Sequence, residues 1–261
     1  MGALYYETHG QGRDLVLLHG WSLNLRVWDP LVQRLQPQFR VITVDLPGHG
    51  RSDWDRKAMT PAAQAWQVHE TLAPLTGRYT LLGWSLGGQM ALDLAAALPT
   101  AIERLVLISS TPKFLASASW RFGMPRPLLA RLANRVHDRD EYVVRDFLRL
   151  AARGSKPRTA ERVFETLRAA VREHGAARFE ALAHGLARLR EGDLRRALPL
   201  VRVPALVLAG RRDQIIRPSA SRAMARALPE ARYVSIDGAA HAPFLSHPRQ
   251  CARLLREFLD E

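Results

Sequence analysis

The chain contains very little cysteine. Its one thiol, Cys251, has no partner for an internal disulfide, so nothing in the covalent structure asks for an oxidising compartment. No Cys/His cluster shows zinc-site spacing. Gly48-His49-Gly50-Arg51-Ser52 carries two glycines but lacks the lysine of a phosphate-binding P-loop, and reads as a turn after a strand. Neither a metal nor a cofactor is therefore expected. Long apolar runs are missing too: no stretch of about 18 uncharged apolar residues occurs, so no membrane span is expected. The first ten residues include Glu7 and no apolar core of the kind a secretory signal needs. A cytoplasmic location is the expectation.

What remains is a chain of 261 residues with 47% hydrophobic residues, enough to bury a large core without covalent staples. The formal net charge is +13, and nearly all of the cations are arginines. They are concentrated: residues 112–196 hold 19 Lys and Arg against 10 Asp and Glu, a balance of +9. Such a surface attracts nucleic acid, anionic lipid or an acidic protein. A coding bias towards arginine is the plain alternative. No helix-turn-helix or zinc-finger pattern is present, so specific nucleic-acid recognition is not expected.

Short apolar runs bounded by turn residues recur at Leu15-Val16-Leu17-Leu18, Val41-Ile42-Thr43-Val44, Tyr79-Thr80-Leu81-Leu82 and Leu105-Val106-Leu107-Ile108. Continuous runs of this kind suit strands buried on both faces. Helical stretches separate them, such as 86–98, closed by Pro99. The rhythm stops over 112–196, where 139–152 and 158–172 have helical spacing among many charges. It resumes at 203–210 and 232–237 and ends in a helix over about 248–259. The expected architecture is α/β, a mostly parallel central sheet with helices on both faces. Its core would be 1–111 and 197–261, with 112–196 inserted as a helical lid. A monomer is expected.

Gly83-Trp84-Ser85-Leu86-Gly87 is a G-x-S-x-G pentapeptide between a predicted strand and a predicted helix. That is the setting of a nucleophile elbow, a turn so tight that flanking side chains would clash. A serine hydroxyl needs a base. Of the nine histidines, His241 sits in the loop after the last predicted strand, where an open α/β sheet meets its ligands. His247, beside Pro248 at a helix start, reads as structural, while His19 and His49 lie in turns and are further candidates to line the site. The acid should fall between serine and histidine in chain order. Asp213, just past 203–210, is preferred to Asp237, which shares a connection with His241. The backbone N–H groups of Leu86 and Trp21 are the expected oxyanion donors, with the Trp21 side chain walling the pocket together with Trp84, for which a plain core position is the alternative.

Together, His19-Gly20-Trp21, the 45–52 turn, Gly83-Trp84-Ser85-Leu86-Gly87-Gly88 and His241-Ala242-Pro243-Phe244 resemble the α/β-hydrolase superfamily over the whole chain. More narrowly, 17–21, 82–88 and 239–248 resemble the pimeloyl-(acyl-carrier protein) methyl ester carboxylesterases of biotin synthesis. The resemblance implies hydrolysis of the methyl ester at the far end of a pimeloyl chain carried on acyl carrier protein. It also places Phe147, Leu148, Arg149, Leu150 and Ala151 along the acyl channel, and it implies docking of the acidic carrier on the basic lid. A general carboxylesterase or a carbon–carbon bond hydrolase would use the same three residues. A ligand-binding protein that has lost turnover fits an intact Ser85, His241 and Asp213 poorly. Dehalogenases and epoxide hydrolases of this fold use aspartate where this chain has Ser85.

Overall fold

The computed structural model describes residues 4–55 and 60–261; Met1–Ala3, part of the N-terminal segment read above, lie outside them. Among the described residues, seven strands form one sheet. They are β1 (Tyr6–His9), β2 (Arg13–Leu18), β3 (Phe39–Val44), β4 (Tyr79–Trp84), β5 (Ile102–Ile108), β6 (Ala205–Gly210) and β7 (Ala231–Ile236), in the order β1-β3-β2-β4-β5-β6-β7. Only β1 runs antiparallel, paired with β3; every other neighbouring pair is parallel.

Alternate residues of the central strands enter two separate cores, which explains why they read as unbroken apolar runs. Val16, Leu18, Leu81, Leu105, Leu107 and Val207 face one layer, completed by α2 (Pro61–Leu72), α3 (Leu86–Ala97) and α8 (Pro218–Ala227). Leu15, Leu17, Leu82, Val106, Ile108 and Leu208 face the other, with α1 (Asp29–Leu35), the short α9 (Pro243–Ser246) and α10 (Pro248–Asp260). In α10 the spacing of Cys251, Leu254, Leu255 and Phe258 puts its apolar stripe on that core. Cys251 is fully buried there, and burial pushes its thiol up to about 12. β1 escapes the sequence reading because Tyr6-Glu7-Thr8-His9 is an edge strand, half in water, with no apolar run.

Between β5 and β6 the chain forms α4 (Arg126–His137), α5 (Val143–Ala152), α6 (Pro157–His174) and α7 (Phe179–Glu191). The two ends of this excursion meet: the Leu194 N–H donates to the Pro112 carbonyl at 2.8 Å, and Lys113 Nζ donates to Asp193 at 2.9 Å. The C-terminal end of α6 is tied to the sheet by a buried pair, His174 Nε2 to Asp45 Oδ2 at 2.8 Å. Asn24 reinforces it, donating from Nδ2 to the carbonyls of Ala170 and Gly175 at 2.8 and 2.9 Å. Burial raises the Asp45 carboxyl in spite of the hydrogen bonds it accepts from the Arg51 and Leu25 amides. The 45–52 turn therefore does more than cap β3, because it is also where α6 lands. Among the described residues no helix is long and apolar enough to cross a membrane.

Candidate active site

Ser85 follows the last residue of β4 and precedes the first of α3, at φ 55° and ψ −114°. A non-glycine residue held there costs about 1–3 kcal/mol and persists only where its surroundings over-determine it. The surroundings here do so. The Ser85 N–H donates to the Ile108 carbonyl at 3.0 Å, and Ser110 Oγ donates to the Ser85 carbonyl at 2.9 Å. A side chain at Gly87 would run into the carbonyls of Leu18 and His19, so glycine there lets α3 start directly against the end of β2. The same approach brings the 19–21 turn beside Ser85, where a methyl group on Gly20 would touch Ser85 and Trp84.

Three elements converge on the serine. Asp213 follows β6 and His241 follows β7, so both come from loops at the carboxyl ends of adjacent parallel strands. His241 Nε2 lies 3.1 Å from Ser85 Oγ, and His241 Nδ1 lies 2.8 Å from Asp213 Oδ2. The imidazole and the carboxylate are both buried. Asp213 is further held because Oδ1 accepts from the Ile215 and Ile216 amides at 2.8 and 3.0 Å. With the carboxylate accepting at Nδ1, that nitrogen carries the hydrogen, and Nε2 is left with its lone pair facing the hydroxyl. The histidine loop is fixed from two sides. Trp84 Nε1 donates to the His241 carbonyl at 2.8 Å, and the His241 N–H donates to the Ala151 carbonyl at 3.3 Å.

The competing residues lie elsewhere. His247 pairs with Ser246 Oγ at 2.9 Å, and burial with Arg162 nearby lowers its pKa. Asp237 is exposed and bonded to Arg211. His19 donates from Nδ1 to the Gly20 carbonyl at 2.8 Å and accepts the Leu46 N–H at Nε2, 2.9 Å, so it shapes the turn. Burial, with His49 beside it, holds His19 well below the usual imidazole range, and burial lowers His49 to about 4. Neither histidine walls the cavity above Ser85.

That cavity has a volume of about 500 Å³ and is lined mainly by apolar side chains, including Trp21, Phe114, Leu129, Phe147, Leu150 and Leu186. Trp21 closes one side; its ring meets Phe147 edge-on at 4.8 Å, and its Nε1 donates to the Leu182 carbonyl of α7 at 2.9 Å. Trp84 corrects the expectation that it shares this wall. It points beneath the elbow and packs on Trp28 and Phe244. The stretch 147–151 lines the cavity only in part, a second correction. Phe147 and Leu150 reach it, while Leu148 is buried in the core and Ala151 is a small buried side chain whose carbonyl receives the His241 N–H. Arg149 turns onto the Phe164 ring at 4.3 Å. Leu129, Leu186, Leu189 and Ile215 were not singled out from the sequence. Their only signal was amphipathic spacing, which does not distinguish a core from a cavity wall.

The amide of Leu86 opens α3, and the first amides of a helix have no acceptor within it. The helix end adds partial positive charge beside Ser85. Arg131, Arg135 and Asp146 also border the cavity. Arg135 bonds Asp140 at 2.5 Å and Asp146 at 2.9 Å, which holds both carboxyls below their ordinary range.

The chain matches the model of the α/β-hydrolase fold over residues 15–248, and it belongs to that family. It is 38% identical over 256 residues, 98% of each chain, to a protein of Xanthomonas oryzae pv. oryzae named pimeloyl-(acyl-carrier protein) methyl ester esterase. A protein of Nitrosomonas europaea with the same name is 39% identical over 251 residues, 96% of this chain and 97% of that one. Among solved structures, a hydrolase from Pseudomonas aeruginosa superposes with a TM-score of 0.83 at 28% identity, covering 98% of this chain and 94% of its own.

Proposed function

We propose that this chain is a serine carboxylesterase that hydrolyses the methyl ester of pimeloyl-(acyl-carrier protein) in biotin synthesis, releasing methanol and the free carboxylate. The observation that carries the chemistry is the hydrogen-bonded line Ser85–His241–Asp213 on the floor of an apolar cavity. The whole-length similarity to proteins bearing that enzyme's name supports the substrate.

In this reading Ser85 Oγ attacks the ester carbonyl while His241 Nε2 takes its proton. Asp213, already bonded to Nδ1, stabilises the imidazolium and fixes the tautomer. The oxygen that becomes negative is held by the N–H groups of Leu86 and Trp21. His241 then gives its proton to the departing methoxide, which leaves as methanol. Water attacks the resulting acyl-enzyme with His241 again as base, and the carboxylate product leaves Ser85 free. No cofactor enters the cycle.

The cavity walls suit a methylene chain, and cations with exposed apolar side chains stand near its rim. Leu128 and Tyr142 are half exposed, beside Arg131, Arg135 and Arg145. In this reading α4 to α7 form the lid, and that rim receives the acidic carrier while the thioester end stays outside. The protein acts as a monomer in the cytoplasm. Incubating methyl pimeloyl-carrier protein with the enzyme and weighing the intact carrier tests the assignment. Loss of the methyl group alone is expected, and thioester cleavage or an unchanged carrier would overturn it.

A further inference from the structure

Gly185 occupies the middle of α7, a position where glycine is a poor helix former and alanine would serve the helix better. The reason for glycine lies outside the helix. A methyl group at Gly185 would stand 2.6 Å from Cδ1 of Trp21, 3.1 Å from its Nε1 and 3.3 Å from a terminal methyl of Leu86. One bare turn of α7 is thus in contact with both residues whose amides face the ester oxygen in the mechanism above. The contact is fixed on each side along the helix. One turn earlier, the Leu182 carbonyl accepts the Trp21 indole N–H at 2.9 Å. One turn later, the buried Arg188 guanidinium pairs with Asp93 of α3, the helix that Ser85 opens. Gly48 meets the methyl of Ala181 further back along α7, and the Arg178 amide donates to the Gly48 carbonyl at 2.8 Å.

We infer that Gly185 is a positioning residue for the oxyanion site: its missing side chain lets the Trp21 indole and the Leu86 side chain settle against α7, and this sets where their two amides point. The inference rests on the oxyanion assignment made above. It gives α7 a part in catalysis that is independent of acyl-chain length and of carrier binding. A helix that only roofed the acyl chain would affect long substrates and leave short ones untouched. An anchored α7 affects every ester, because the oxyanion forms with all of them.

The test uses p-nitrophenyl acetate, whose acyl group is too short to need the walls of α4 and α5. In Gly185→Ala the added methyl pushes the Trp21 turn away. kcat should fall about ten- to a hundredfold, the cost of misplacing a reacting group by about an ångström, with KM nearly unchanged. The Ki of a trifluoromethyl ketone, to which Ser85 Oγ adds to give a tetrahedral oxyanion, should rise in step. In the Trp21→Ala background the ring that the methyl would strike is gone, and Gly185→Ala should then cost less than about twofold. If Gly185→Ala alone does not fold, Trp21→Ala should restore folding with the kcat of Trp21→Ala by itself. A Gly185→Ala enzyme within about twofold of the parent in kcat overturns the inference. So does an equal loss in both backgrounds, or no rescue of folding. An inactive parent, or a phosphonate that labels a residue other than Ser85, would instead remove the reading on which it rests.

Discussion

The indole of Trp84 donates from Nε1 to the main-chain carbonyl of His241 at 2.8 Å, so the residue just before the serine holds the loop that carries the histidine. The bond is buried, and it links β4 to a loop 157 residues further along the chain. The distance between nucleophile and base is therefore set partly by a side chain that also packs its ring against the His241 imidazole, 5.4 Å between ring centroids. Trp84→Phe keeps an aromatic ring against Trp28 and Phe244 but leaves the His241 carbonyl without its donor. An unpaired buried acceptor costs about 1–3 kcal/mol, so thermal unfolding should shift downward. kcat should fall roughly ten- to a hundredfold as the histidine drifts. Unchanged kcat beside a lowered Tm would confine Trp84 to packing.

Ser85→Ala should abolish ester turnover and leave the fold intact, since the hydroxyl contributes one hydrogen bond and little packing. A remnant of about 10³–10⁴-fold over the uncatalysed rate is expected from the oxyanion donors and binding. His241→Ala should match it closely, because the three residues act as a unit. His247→Ala should stay within about threefold of the parent, its ring being bonded only to Ser246. Initial rates on a p-nitrophenyl ester rank the three, and a larger loss at His247 would move the base.

Asp213→Asn should lower kcat by about 10⁴-fold with little change in KM, because the amide stabilises the wrong imidazole tautomer. Asp237→Asn should be nearly silent, as that carboxylate is exposed and bonds only Arg211. Steady-state kinetics of the two variants side by side decide the acid; a greater loss at Asp237 would reverse the assignment.

His19 and His49 make stability depend on pH. Both are buried, and burial lowers both below the ordinary imidazole value of 6.5, His49 to about 4. The unfolded chain takes up protons near 6.5 while the folded one refuses them. Their contribution is thus fully present above pH 6.5 and is lost as pH falls below it, that of His49 by about pH 4. Each imidazole contributes a slope of up to about 1.4 kcal/mol per pH unit in that window. Urea midpoints should fall between pH 6.5 and 4.5, and His49→Gln should flatten the fall. A flat profile would contradict the buried neutral rings.

The triad geometry was legible because each member follows a recognisable strand: Ser85 after 79–84, Asp213 after 205–210, His241 after 231–236. β7 is partly exposed at one sheet edge and shows a weaker rhythm, but β4 and β6 are buried on both faces, so sequence displays them as apolar runs. β1 was hidden for the opposite reason, being half exposed at the sheet edge. Trp84 shows a different limit. Sequence adjacency to Ser85 placed it at the site, but Trp84 ends β4 while Ser85 sits on the sharp turn that follows, and the Trp84 ring packs on Trp28 and Phe244 instead. The 147–151 stretch contributes only Phe147 and Leu150 to the cavity lining, because Leu148 packs into the core, Arg149 lies on the Phe164 ring and Ala151 has too short a side chain to add to the wall. The Asp45–His174 pair joins residues 129 apart and leaves no local pattern to read.

The central claim is that Ser85 hydrolyses a methyl ester on a carrier-bound chain. The most direct measurement compares kcat/KM for methyl pimeloyl-carrier protein with that for a free methyl ester of similar length, at low and at high salt. Charges at the rim act mainly on association rate and are screened over about 8 Å at physiological ionic strength. The carrier-bound ester should be preferred at low salt and lose much of its advantage as salt rises, while the free ester changes little and Ser85→Ala turns over neither. A free ester hydrolysed as well as the carrier-bound one at every salt concentration would contradict the carrier substrate and leave a general carboxylesterase.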